Sequence, residues 1–140
     1  RTRIDPDYPL KEKHYFSGGA GLTSTAYDYA NFLLMVLNGG RWNGNSILSR
    51  RTTEMMTSGQ LSFLFNGVDN FGLGFGITSE LSGARGPFNA GSFYWGGFFG
   101  TTYWADPKAK MVCLIMTQQT PNSHGDLSAK VEDLIYQSLR

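Results

Sequence analysis

Few residues in this 140-residue chain have the types and spacing that chemistry needs, and most of them can be set aside on physical grounds. His14 and His124 are the only histidines, and each lies in a polar, turn-like segment. A Ser/His/Asp relay needs its serine held in a strained turn, and no Gly-x-Ser-x-Gly segment supplies one. Both histidines therefore read as solvated loop residues. Two histidines so far apart also lack any metal-ligand spacing, and the single cysteine, Cys113, excludes a multi-cysteine site and an internal disulfide. No metal and no cofactor are expected. Cys113 lies mid-run in the most apolar stretch, where burial disfavours the thiolate, so it reads as packing rather than as a nucleophile. Gly72-Leu73-Gly74-Phe75-Gly76 lacks the Gly-x-Gly-x-x-Gly pattern and reads as lying within a strand, so it is no nucleotide loop. What remains is a dense aromatic segment, Phe93, Tyr94, Trp95, Phe98, Phe99, Tyr103 and Trp104, interrupted by Gly96-Gly97. It could form a sugar or base platform, or one wall of an apolar pocket.

The elements around that segment follow from periodicity. Gly18-Gly19-Ala20-Gly21 leads into a helix capped by Ser24 or Thr25, with Thr25 and Asp28 at capping-box spacing. Ala26, Tyr29, Ala30, Leu33, Val36 and Leu37 recur on one helical face, and Asn38-Gly39-Gly40 ends it. Asn43-Gly44 marks a tight turn, and Ser49 caps a shorter helix running to about residue 57. Over 71–77, Phe71, Leu73, Phe75 and Ile77 alternate with glycines, which predicts a strand with one bare face against which something packs closely. Further strands are expected over 92–95, 99–105 and 110–118, the last two joined through Asp106-Pro107-Lys108-Ala109 as a hairpin. Residues 111–116 are all apolar, the pattern of a central strand covered on both faces. Ser123 can cap a final helix whose apolar face carries Leu127, Val131, Leu134, Ile135 and Leu139. The expected class is α+β, an antiparallel sheet flanked by helices. It forms a single region over 1–140, with 1–16 as an extended arm held by Asp5-Pro6 and Tyr8-Pro9.

Composition narrows the partners. Twelve Lys+Arg balance eleven Asp+Glu, a net charge of +1, which leaves no electrostatic footprint for nucleic acid or an anionic membrane. The longest apolar runs, 32–37 and 111–116, fall far short of the roughly 20 residues that cross a bilayer. With 41% hydrophobic residues the chain is not predominantly disordered. It opens on Arg1 rather than Met, with no signal-like segment following, as expected of a processed chain or a piece of a longer one.

Two segments at their observed separation are more specific than either alone. Gly21-Leu22-Thr23-Ser24-Thr25-Ala26 leads into the first helix and Asn38-Gly39-Gly40; Gly91-Ser92-Phe93-Tyr94-Trp95-Gly96-Gly97-Phe98-Phe99-Gly100-Thr101 is followed by Thr102-Tyr103-Trp104-Ala105-Asp106-Pro107. Over residues 17–140 this arrangement resembles the C-terminal part of the serine β-lactamase-like hydrolases, in the branch of class C β-lactamases, D-Ala-D-Ala carboxypeptidases and related esterases. The resemblance implies the C-terminal portion of a β-lactamase/transpeptidase-like fold and an acyl-enzyme mechanism on ester or amide substrates, β-lactam or peptidoglycan-like ones included. It implies a periplasmic or extracellular location.

Trp95-Gly96-Gly97 resembles the Trp-led form of that family's third motif, which is Lys-Thr-Gly in other members. By position the Phe98 N–H would then stabilise the oxyanion, Gly96 and Gly97 would let substrate approach closely, and Tyr94 and Phe99 would line the pocket. An ordinary Gly-Gly bend in an aromatic strand is the structural alternative. The family's nucleophile pair, serine with lysine three residues on, is absent: Lys11, Lys13, Lys108, Lys110 and Lys130 follow Tyr8, Leu10, Ala105, Pro107 and Leu127 at that spacing. Tyr29-Ala30-Asn31 spells the family's Tyr-x-Asn but lies in the first helix, where Tyr29 reads as core. Without the motif lysine, and with Ala20 where class C enzymes often place a pocket aromatic, the resemblance shifts the substrate toward neutral esters or unusual amides. Alone, the chain is expected to be inactive, and its partner is the N-terminal portion of the same protein or a second copy of the chain. A non-catalytic module whose aromatic strands bind carbohydrate or lipid is the competing reading.

Overall fold

The structure is a computed structural model that describes residues 7–12, 14–19, 21–61, 68–121 and 125–139. Four helices, α1 (Ala26–Leu37), α2 (Arg50–Met56), α3 (Glu80–Gly83) and α4 (Leu127–Ser138), accompany seven short strands among these residues. Strands β1 (Arg41–Trp42) and β2 (Asn45–Ser46) form a small hairpin. Its turn has Asn43 at φ 48° and Gly44 at φ 80°, the left-handed pair that an Asn-Gly turn accommodates. The principal sheet is antiparallel and runs in chain order: β3 (Asn70–Phe71), β4 (Gly76–Ile77), β5 (Phe93–Gly96), β6 (Thr102–Asp106) and β7 (Met111–Ile115).

Helix α1 packs on one face of this sheet. Leu33, Met35 and Val36 meet Phe75, Ile77, Phe93, Tyr103 and Ala105 in one buried cluster. Thr25 Oγ1 accepts from the Asp28 N–H at 3.1 Å, which caps the helix as its spacing predicted. At the far end Gly39 and Gly40 take φ 65° and 86° and turn the chain away. Ser49 likewise caps α2, accepting from the Thr52 N–H. On the opposite face the Phe88 ring is the hub, with Tyr94, Trp104 and Tyr136 of α4 at centroid distances of 5.9, 5.5 and 6.0 Å.

A buried carboxylate joins the layers on that second face. Asp106, fully buried, accepts at Oδ1 from the Lys108 and Ala109 N–H groups, and at Oδ2 from Asn89 (2.7 Å) and the Tyr136 hydroxyl (2.6 Å). Burial works against its charge, but these four donors hold its carboxyl below the ordinary value. The Tyr136 phenol is pushed up by its own burial and by Asp106, and it stays a donor. The Asp-Pro turn is therefore also the anchor of the last helix.

Several expectations are corrected. The predicted strand over 71–77 is a hairpin: Phe71 pairs with Gly76, and the Gly72 N–H donates to the Phe75 carbonyl across the turn. Gly74 at φ 94° breaks the strand, and Leu73 faces solvent. The close approach inferred for the bare positions is real at two glycines. A Cβ on Gly72 would collide with the Met56 carbonyl oxygen, and one on Gly76 would lie 2.9 Å from the Tyr94 ring. The apolar strand at 111–116 is not central among the described residues. It spans Met111–Ile115 at the sheet's edge, every residue only half-buried, because α1 covers one face and no described strand continues beyond it. Residues 99–101 lie in a loop, and β6 starts at Thr102. Tyr8–Leu10 forms one 3-10 turn, with Asp7 at its N-cap, within the arm expected to be extended, since the fixed φ of Pro9 also suits a first helical turn. Asp126 occupies the N-cap of α4, and Ser123 lies outside the described residues, as do Ala20 and His124. The apolar face of α4 is present but open: none of its residues is buried, and Leu134 is 65% exposed.

Candidate active site

Strand β5 carries the motif, and its register fixes where each side chain goes. Phe93 and Trp95 point to the α1 face, Tyr94 to the Phe88 face. Pairing with β4 stops at Gly76↔Tyr94, while pairing with β6 continues to Gly96↔Thr102. Beyond it a three-residue loop, 98–100, reverses the chain. The Gly97 N–H donates to the Thr101 carbonyl at 2.7 Å, and the Gly100 N–H returns to the Gly97 carbonyl at 3.0 Å, with Gly100 at φ 80°. This is a type I turn closed by a glycine bulge, in which the first loop residue points its N–H away from the strands. That residue is Phe98. Its N–H finds no backbone acceptor among the described residues, and its side chain is 77% exposed.

The two motif glycines have a distinctive environment. A Cβ on Gly96 would lie 3.4 Å from the Thr101 carbonyl oxygen, and one on Gly97 3.4 Å from Thr101 Cβ. These are ordinary van der Waals distances, and neither glycine has a positive φ. Nothing within the described fold requires glycine at these positions, whereas Gly72 and Gly76 are required by their neighbours. Glycine at 96 and 97 instead keeps the exposed backbone before the Phe98 N–H bare.

Aromatic rings frame this backbone. Trp95, 40% exposed, meets Phe71 edge-on at 5.0 Å, and Phe98 meets Phe99 edge-on at 5.4 Å. The segments meeting at this end, 58–61, 68–77, 95–102 and 115–121, contain one charged residue, Asp69, and no lysine or arginine. Asp69 belongs to the other face of the sheet. It accepts from the Ser79 N–H (3.0 Å) and from the Tyr94 hydroxyl (2.8 Å). Burial opposes its charge, yet bonds from the Ser79 backbone, Ser82 and Tyr94 hold its carboxyl below the ordinary value. Burial and the Asp69 carboxylate both push the Tyr94 phenol up, so it remains a protonated donor rather than a base.

The structure thus brings Trp95, Gly96, Gly97, Phe98 and Phe99 together at one end of the sheet and directs Tyr94 into the layer beneath. Asp69, the partner of Tyr94, was missed by sequence reasoning; a lone aspartate before Asn70 carries no local signal of burial. Tyr29 packs its ring 4.9 Å from Tyr103, the core placement expected, and burial plus the hydrogen bond that its hydroxyl donates to Tyr29 push the Tyr103 phenol up. Cys113 is half-buried opposite Trp104, and burial with the Asp106 charge pushes its thiol up. His14 is exposed. Among the described residues no cluster of His, Cys, Asp and Glu could hold a metal ion, and no helix is long and apolar enough to cross a membrane.

Comparison with known proteins gives this geometry a context. The model of the family described as Beta-lactamase matches residues 1–137. Two curated Mycobacterium tuberculosis proteins, uncharacterized protein MT1414 (strain CDC 1551 / Oshkosh) and protein Rv1367c (strain H37Rv), are each 33% identical over 130 residues, covering 84% of this chain and 32% of theirs. Among solved structures, EstCE1, a hydrolase with promiscuous acyltransferase activity, has a TM-score of 0.80 at 24% identity, covering 95% of this chain and 35% of its own. The LovD9 mutant of simvastatin synthase from Aspergillus terreus has a TM-score of 0.56 at 23% identity, covering 75% and 32%. These two likenesses are of fold. The chain spans about a third of the length of the relatives it matches. With a family match running almost from end to end over a helix-and-antiparallel-sheet fold of the expected kind, the chain belongs to the family described as Beta-lactamase.

Proposed function

We propose that this chain is the C-terminal part of a serine hydrolase that cleaves neutral esters or amides through an acyl-enzyme, and that its own contribution is an oxyanion donor and an aromatic pocket wall. In the proposed reaction a serine Oγ, supplied by a portion of the protein beyond this chain, attacks the substrate carbonyl as a nearby base takes its proton. Negative charge builds on the carbonyl oxygen, and the Phe98 N–H donates to it. The tetrahedral intermediate collapses and expels the alcohol or amine, which takes up a proton, and water then hydrolyses the acyl-enzyme. Trp95, Phe98 and Phe99 would flank the acyl or leaving group.

The observation that carries this reading is the Phe98 N–H, without a backbone acceptor among the described residues and approached through two glycines that the described fold does not require. The lack of lysine or arginine in the adjoining segments favours neutral substrates over carboxylate-bearing β-lactams. The resemblance further suggests a periplasmic or extracellular site. The missing nucleophile makes the remaining portion of the same protein the partner that completes the centre, since a second copy of the chain would bring no serine–lysine pair of its own.

Phe98→Pro in the full-length protein tests it. Proline suits the first loop position of a type I turn, so the substitution removes the N–H with little change of backbone. We expect turnover of p-nitrophenyl acetate to fall by ~10²–10³. Unchanged turnover would sink the assignment.

A further inference from the structure

The loop that presents the Phe98 N–H is weakly held by its own residues. The β6–β7 ladder ends at Thr102↔Ile115, so no strand pairing reaches 97–101 from that side. Within the loop only two hydrogen bonds close it, and glycines at 96, 97 and 100 leave its backbone unusually free. The segment after β7 does what the ladder does not. The Thr117 hydroxyl donates to the Phe99 carbonyl at 2.7 Å, and the Gln119 N–H donates to that same oxygen at 3.0 Å. In return the Thr101 hydroxyl donates to the Thr117 carbonyl at 3.3 Å. Three hydrogen bonds thus hold the middle of the turn and its exit from outside it, and two converge on one carbonyl.

We infer that Thr117 is a positioning residue of the candidate site, its hydroxyl fixing the 98–100 loop so that the Phe98 N–H is aimed before substrate arrives. This inference rests on the role proposed for Phe98. Thr117 touches no substrate itself. Its effect passes through the Phe99 carbonyl, one residue beyond the donor. A hydrogen-bond donor for a developing oxyanion is effective only when held at about 2.7–3.1 Å from the place that oxygen will occupy, so loss of orientation reduces transition-state stabilisation more than substrate binding.

The test uses the full-length protein with p-nitrophenyl acetate and three variants at position 117 and 98. Thr117→Val keeps the shape and removes the hydroxyl; it is expected to lower kcat about ten-fold, with KM changed less than about two-fold, the signature of an interaction realised in the transition state. Thr117→Ser restores the donor and is expected to recover most of that loss. Should Thr117→Val fail to fold, Thr117→Ala, which also lacks the hydroxyl, is read against Thr117→Ser in the same way. Equal losses in the valine and serine variants would overturn the inference, since packing and not the hydroxyl would then matter. Wild-type kcat in Thr117→Val would overturn it too. If Phe98→Pro retains full turnover, the reading of the site itself fails; if Phe98→Pro is inactive while Thr117→Val is normal, only the clamp fails.

Discussion

Removing a single atom, the hydroxyl of Tyr136, should destabilise the protein in a way that depends on pH. That hydroxyl donates to Asp106 Oδ2 at 2.6 Å, and the carboxylate is fully buried. Tyr136→Phe leaves Oδ2 with Asn89 as its remaining donor, while Oδ1 keeps the Lys108 and Ala109 N–H groups. Hydrogen bonds to charged groups contribute about 1.5–3 kcal/mol, so a loss near 2 kcal/mol is expected at neutral pH. With a urea slope of about 2 kcal/mol/M, the unfolding midpoint of the full-length protein would fall by roughly 1 M, read from tryptophan fluorescence through the buried Trp104. The sign of the pH dependence follows from linkage. Asp106 titrates below its ordinary value in the folded protein, so its stabilisation is present above the ordinary carboxylate pKa of 3.8 and is lost as pH falls through the folded value. Losing the phenol donor raises that folded value toward normal. The gap between wild type and Tyr136→Phe should therefore be widest at pH 6–7 and narrow below about pH 3.8. A gap that never narrows as pH is lowered from 7 to the acid unfolding of the protein would refute the claim that the bond is made to a charge. A midpoint unchanged at both would mean that the bond is not formed.

Two further outcomes follow from neighbouring contacts. Gly96→Ala should leave the thermal midpoint within a degree or two while reducing ester turnover, whereas Gly72→Ala should lower the midpoint sharply, because its Cβ meets the Met56 carbonyl; paired melting and activity curves decide both. Cys113 should react with a thiol reagent such as DTNB far more slowly than free cysteine at pH 8, since burial and the Asp106 charge both disfavour its thiolate, and reaction at the free-cysteine rate would contradict that placement.

Helix α1 was legible in the sequence because each local signal agreed: the Thr25 cap, the 3.6-residue apolar recurrence and the Asn38-Gly39-Gly40 stop. The β6–β7 hairpin was legible for the same reason, through Asp106-Pro107. Over 71–77 the alternation of apolar residue and glycine imitated a strand, when Gly74 was in fact supplying a left-handed turn. The run at 111–115 read as central because its composition suits cover on both faces, and edge position is a property of what lies beside a strand rather than of the strand. The glycines at 96 and 97 and Phe98 were singled out through family resemblance, and their role is the one proposed above. The supports were not: Asp69, Asn89, Tyr136 and Thr117 act across 25, 17, 30 and 18 residues, separations at which polar side chains leave no periodic trace.

The order of the principal sheet has a kinetic meaning. Its five strands lie side by side in the sequence in which they are made, so each ladder from β3 to β7 joins strands consecutive in the chain, the longest connection being the one between Ile77 and Phe93 that carries α3, and none waits for a distant segment. Closure entropy grows with loop length, and rates of two-state folding fall as contacting residues become more remote in sequence. This sheet can therefore zip from hairpin to hairpin, and the slow contacts are the long ones that bring α1 down onto β6 and β7. In a hydrogen-exchange pulse during refolding, amides of β5 to β7 should gain protection before those contacts lock the helix in place.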